Sequence, residues 1–215
     1  MSTLGAIRAQ LANQIGNYDL GDQYDHAIRA AIELHEGERF AFNGARLRLD
    51  TVAAQEFYTL PGDLKTPAGA ALAAGEDVLE IESATLRWNA TGTPMEATTF
   101  DELEECNSTG IIGQPLYYAR EGSSFRLGPI PDAVYTIYIN GLKKLGTLSA
   151  GTDTNAWMTD GALLVIASAK AILARDVLRN GELSGTAMEQ ERQALAALRR
   201  KLTAAAPHRI KAWGY

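Results

Sequence analysis

The residues of this chain suited to chemistry are a run of carboxylates, three histidines, one cysteine and a serine pair. Between Glu76 and Glu105 stand Glu76, Asp77, Glu80, Glu82, Glu96, Asp101, Glu102, Glu104 and Glu105, against a single basic residue, Arg87. A pair of carboxyls can serve as acid and base on a glycosidic bond. That work needs one of them in an apolar pocket that raises its pKa, and no apolar surround marks such a pocket here. Glu80 and Glu82 alternate with Leu79 and Ile81, as on a solvated strand face. Glu102, Glu104 and Glu105 read as an acidic interaction face. His26 and His35 are nine residues apart, about two and a half helical turns, so they sit about half a turn out of register. Paired metal ligands on a helix favour separations of three or four; these two read as packing or surface histidines, and His208 stands alone. Cys106 has no histidine near it in sequence and reads as a partly buried thiol rather than a nucleophile. Ser123 and Ser124, within Glu-Gly-Ser-Ser-Phe, form a hairpin turn and not a nucleophile elbow. Neither a P-loop nor a Gly-x-Gly-x-x-Gly run is present. No catalytic residue, metal or cofactor is expected.

The C-terminal end has the opposite polarity. From Arg192 onward come Arg192, Arg199, Arg200, Lys201, Arg209 and Lys211, with no Asp or Glu. Arg199, Arg200 and Lys201 fan around a helix and suit its C-terminal dipole. Arg209, Lys211, Trp213 and Tyr215 lie beyond Pro207 in a segment too short for a core of its own. An aromatic and basic tail of this kind reads as a peptide that docks on a partner.

These groups need elements to carry them. The first forty residues predict two helices. Leu4, Ile7, Leu11 and Ile15 recur at helical spacing behind a cap at Ser2 or Thr3, and Gly16-Asn17 ends the first. Asp22 caps the second, whose stripe is Tyr24, Ala27/Ile28, Ala31/Ile32 and His35. From Phe40 to Leu148 the runs shorten and Gly, Pro and Thr increase. Leu47–Leu49, Glu56–Leu60, Val78–Glu82, Thr85–Trp88, Ser124–Leu127 and Tyr135–Ile139 read as strands, Phe100 to Cys106 as a short helix, and Gly128 to Ala133 as a tight connection. Gly146 to Asn155 is a loop. Trp157 to Leu178 predicts one helix buried on several sides, and Leu183 to Ala206 another, with Met188, Leu195, Leu198 and Leu202 inward. The expected fold is α+β: a helical bundle from both termini (1–42 and 152–206), an inserted antiparallel β-sandwich or barrel (43–151), and an extended docking tail (207–215).

Composition sets the outer limits. The 215 residues carry 26 acidic and 20 basic side chains, a net charge of −6, and 46% are hydrophobic, which is an ordinary globular balance. The apolar run from Gly161 to Val177 is broken by Ser168, Lys170, Arg175 and Asp176, so no membrane span is expected. The first residues lack a secretory pattern, and one cysteine excludes an internal disulfide. A reducing, cytoplasmic folding environment is the expectation. Net acidity also argues against a nucleic-acid-binding domain.

The order of several motifs resembles a known family. Ala27-Ile28-Arg29-Ala30-Ala31-Ile32 precedes Glu38-Arg39-Phe40-Ala41-Phe42-Asn43, then Phe57 to Leu64, then Gly113-Gln114-Pro115-Leu116-Tyr117-Tyr118. Phe125-Arg126-Leu127-Gly128-Pro129-Ile130-Pro131, the strand Tyr135 to Gly141, Lys144-Leu145 and Asn155-Ala156-Trp157 follow. Together they resemble the head–tail adaptors of short-tailed bacteriophages, the tail-tubular-protein-A-like connectors. The resemblance implies a virion protein assembled in the host cytoplasm, twelve copies forming a ring beneath the portal protein. Such a ring extends the DNA channel and offers a platform to the tail nozzle and fibres. It also implies that Arg199, Arg200, Lys201, Arg209, Lys211, Trp213 and Tyr215 dock on the portal. Genomic DNA would pass a lumen of acidic or mixed charge without specific binding, since each neutralised phosphate would hold the strand. A phage tail enzyme or sugar-binding module acting on cell-wall or other envelope polysaccharide is the competing expectation, with Glu102, Glu104 and Glu105 as its first suspects.

Overall fold

A computed structural model describes residues 2–16 and 18–205. It is a mixed α+β structure that divides into two compact units, Met1–Asn43 with Leu148–Tyr215, and Gly44–Thr147.

In the first unit, helix α1 (Leu4–Ile15) starts where the Thr3 hydroxyl accepts from the Ala6 amide, and it ends at Gly16 with φ 97°. Only glycine adopts that left-handed conformation without a side-chain penalty. Leu4, Ile7, Leu11 and Ile15 are its buried face. Helix α2 (Gln23–His35) buries Tyr24, Ala27, Ile28, Ala31 and His35. Asp22 precedes it but makes no side-chain cap bond.

The expected single helix from Trp157 to Leu178 is three pieces. A short α4 (Ala156–Thr159) is capped by Asn155, whose side chain accepts from the Trp157 amide. The chain breaks at Asp160-Gly161, and α5 (Ala162–Ile172) follows. A side chain at Gly161 would meet the Trp157 ring and backbone and the Phe42 ring. The break therefore lets Trp157 lie edge-on to both Phe40 and Phe42, at centroid distances of 5.6 and 5.0 Å. After α5 the backbone widens into a π-helical turn, Leu173–Val177, and Arg179 at φ 51° stops it. Asn180 begins the next helix rather than only ending the last: its side chain accepts from Leu183 N at the start of α6 (Gly181–Ala205). The inward face of α6 includes Ser184, Ala187 and Leu198, whereas Met188 is 50% exposed. Small and polar groups take those places because α6 packs closely on α5. Helix α5 is the centre of this unit and touches α1, α2, α4 and α6.

The second unit holds an eight-stranded sheet. Its strands are β1 (Gly44–Asp50), β2 (Phe57–Thr59), β3 (Leu64–Lys65), β4 (Asp77–Trp88), β5 (Thr91–Ala97), β7 (Tyr117–Glu121), β8 (Ser124–Gly128) and β10 (Thr136–Lys144). The order is β2-β8-β7-β5-β4-β10-β1-β3. Strands β2 and β3 occupy opposite ends of that order, yet only the four residues 60–63 join them. Seven inter-strand steps laid flat would put these edges roughly 33 Å apart, and such a link spans about 17 Å at most. The sheet must curl, and its concave side is filled by Leu47, Leu49, Leu86, Phe125, Leu127, Ile137 and Ile139 among others.

Two expectations are corrected here. Val78–Glu82 and Thr85–Trp88 are one continuous strand, β4. The sheet is not wholly antiparallel, because β5 and β7 pair in parallel at Glu96–Tyr117 and Ala97–Tyr118; α3 (Phe100–Ser108) lies in the connection between them. The tight connection after Gly128 contains β9 (Ile130–Pro131), which pairs in parallel with β6 (Ile112–Gly113).

Candidate functional site

The acidic helix α3 begins with a complete capping box. The Thr99 hydroxyl accepts from the Glu102 amide at 3.2 Å, and the Glu102 carboxylate accepts from the Thr99 amide at 3.1 Å. Glu102 also accepts from the Thr98 hydroxyl. These bonds, the Thr98 bond first, hold the Glu102 carboxyl below the usual carboxylate range. A glycosidase acid needs the reverse shift. Glu102 thus serves the helix start.

Glu104 has a different task. Arg126 on β8 is buried, and its guanidinium pairs with both Glu104 and Glu56. It also donates to the Phe100 carbonyl at 3.1 Å and lies 5.0 Å from the centre of the Phe57 ring. Asn107 adds two bonds, to Glu56 at 2.7 Å and to the Leu127 carbonyl at 2.9 Å. One arginine and one asparagine therefore clamp α3 to the sheet. Leu103 is buried beneath it, and the clamp leaves no room on β8 for a side chain at Gly128, whose Cβ would come 2.6 Å from Leu103. Of the three expected interface carboxylates, only Glu105 is outside this machinery. Asp101, one turn earlier, shares its exposure, and among the described residues neither side chain has an ion-pair partner. Cys106 is partly buried.

On the basic side, Arg199 of α6 pairs with Glu38 at 2.8 Å. Arg200 and Lys201 are exposed, and among the described residues they have no ion-pair partner. Arg209, Lys211, Trp213 and Tyr215 lie outside the described residues, as does the expected tail 207–215.

The structure also assembles a group that sequence reasoning missed. Ser168 on α5 donates to Glu191 Oε1 of α6 at 2.9 Å, and His35 Nε2 of α2 lies 3.0 Å from the same oxygen. Serine, histidine and carboxylate are a hydrolase's residue types. However, Ser168 is 1% exposed and donates its hydroxyl to the carboxylate, while its oxygen lies 3.5 Å from His35 Nε2. No substrate can reach such a serine, and the trio joins three helices. The only sequence signal for it was a histidine on the apolar stripe of α2. His26 is exposed on the same helix, far from this trio's inward face. Among the described residues, no cluster of three or more His, Cys, Asp or Glu could hold a metal ion. No described helix is long and apolar enough to cross a membrane.

Charged residues here build helix caps and clamps, and those left over face outward in acidic and basic groups. Residues 2–211 match the family model described as SU10 adaptor protein, and the chain belongs to that family of phage structural adaptors. It is a virion component. No curated protein matches the chain.

Proposed function

We propose that this adaptor forms a ring beneath the portal protein, extends the DNA channel, and offers the platform on which the tail nozzle and fibres are built. The observation that carries the reading is the adaptor-family match, which runs through residue 211 and so into the basic tail. Twelve copies in the ring, and the closer likeness to tail-tubular-protein-A connectors, belong to the same proposal. So does the arrangement of a helical bundle from both chain ends with an inserted sandwich.

Arg199, Arg200, Lys201, Arg209, Lys211, Trp213 and Tyr215 dock on the portal in this reading. Arg200 and Lys201 support it, as exposed cations without a carboxylate among the described residues. Glu105 belongs to the acidic face toward another neighbour, and DNA slides past a lumen without strong cationic affinity. Assembly takes place in the host cytoplasm.

Imaging the chain mixed with its portal tests the reading. A ring at the portal's exit, lost when residues 207–215 are deleted while the circular dichroism of the chain is unchanged, is the expected result. Open channel walls lined by Arg209 and Lys211, or full ring formation without the tail, would overturn the docking role.

A further inference from the structure

A groove of about 620 Å³ lies in the helical unit, lined by Gln14 of α1, Leu163, Ile166 and Lys170 of α5, and Gln190 and Ala194 of α6, among others. Two of these residues are out of place for a finished surface. Leu163 is 74% exposed on a helix otherwise sunk in the core. Lys170 is the reverse, a lysine only 7% exposed. Its ammonium has one hydrogen bond, to the neutral Gln190 Oε1 at 3.4 Å, and among the described residues no carboxylate within ion-pair distance. A buried cation is costly unless a counter-charge accompanies it. Two other covered cations do have a carboxylate: Arg126 has Glu56 and Glu104, and Lys143 has Glu76 at 2.6 Å.

The complementary face is on this chain too. Asp101 and Glu105 stand one turn apart on the outer side of α3, so they share a face, and both lack an ion-pair partner among the described residues. Just past the helix, Ile111 and Ile112 are 52% and 59% exposed. Carboxylates followed by bare isoleucines match a groove that offers a buried ammonium and a bare leucine.

We infer that the α5–α6 groove of one copy receives the α3 segment of a second copy, Asp101 or Glu105 completing the Lys170 site while Ile111 and Ile112 cover Leu163. The contact joins two different faces, so it is heterologous and propagates from copy to copy. It rests on the ring reading and supplies that ring's subunit contact.

Cross-linking the full chain tests it. Leu163→Cys places a thiol on the groove rim, and Cys106 is already on α3. At roughly 1 mM chain, where a contact with a millimolar Kd is populated, a short bis-maleimide should give a ladder of dimer, trimer and longer species. The Leu163→Cys, Cys106→Ser chain mixed with the unsubstituted chain should stop at dimers. Asp101→Asn with Glu105→Gln, both on an exposed face, should slow the ladder by at least about tenfold. Lys170→Gln should do the same. Absence of the ladder, dimers formed by Leu163→Cys, Cys106→Ser alone, or a ladder indifferent to the acidic substitutions would each overturn the contact. Rings imaged on the portal without the ladder would leave the ring reading standing and remove only this contact; a ladder without portal-bound rings would do the opposite.

Discussion

His35 Nε2 lies 3.0 Å from Glu191 Oε1, although the two residues are 156 positions apart in the chain. The same oxygen accepts from Ser168 at 2.9 Å, so one carboxylate ties α2, α5 and α6 together. Replacing Glu191 by Ala leaves a buried imidazole and a buried hydroxyl without their partner. The expected loss is about 2 kcal/mol, read as a lower urea midpoint. A double-mutant cycle with His35→Ala should show coupling, since the two share one network. Strict additivity would mean that the contact holds nothing together.

The Arg126 clamp makes an asymmetric prediction. Glu56 is largely covered while Glu104 is 71% exposed at its side chain. Arg126→Ala strands the covered Glu56 and should cost about 3 kcal/mol. Glu104→Ala removes only the solvent-facing arm and should cost under about 1 kcal/mol. Chemical denaturation of the three proteins checks the ranking.

Gly141 lies in β10 at an irregularity in its register with β4, between Asn140 and Gly141. A methyl group there would collide with the Glu80 carbonyl of the neighbouring strand. Backbone on a central strand cannot step aside as a flexible side chain can. Gly141→Ala should destabilise the sheet by about 2 kcal/mol or more, measured by thermal or urea unfolding.

Tyr135 donates to Asp132 at 2.6 Å. That bond first, then burial and the Asp132 charge, pushes its pKa up to about 12. The folded state therefore holds a proton that the unfolded chain releases near pH 10. The resulting stability is fully present below pH 10 and is lost as pH rises through about 12. Tyrosine absorbance, taken as the difference between the parent and Tyr135→Phe, should show the late titration. Asp132→Asn should bring it down toward 10.

Much of the local structure was legible in the residues. Leu4, Ile7, Leu11 and Ile15 mark a helix face by spacing alone, and Thr3 and Gly16 close it at both ends. The hairpin turn was read at Ser123 and Ser124, although Ser124 already belongs to β8, and the Thr99–Glu102 capping box went unread. Strand β5 escaped notice because Gly92 and Pro94 interrupt its pattern, and its place in the sheet comes from β4 and β7 on either side. The two-residue strands β3, β6 and β9 are too short to show any period.

The candidate site divides in the same way. Acidity concentrated before residue 106 and a basic end are visible by counting. Which carboxylates are spoken for is not: Glu104 meets Arg126 from 22 positions away, and Glu102 turns back on its own helix start. Met188 looked inward by period, yet the α5–α6 contact rotated Ser184 and Ala187 into that place.

By itself, the sequence determined the element types, several helix boundaries and the sorting of charge along the chain, because spacing, capping and composition act over a few residues. Only the tertiary structure decided how the sheet curls, where β5 and β7 run parallel, which charges are cancelled, and that Lys170 is buried without a counter-charge among the described residues. Those outcomes depend on pairs far apart in the chain, and burial, which sets what a charge costs, exists only once such pairs have packed.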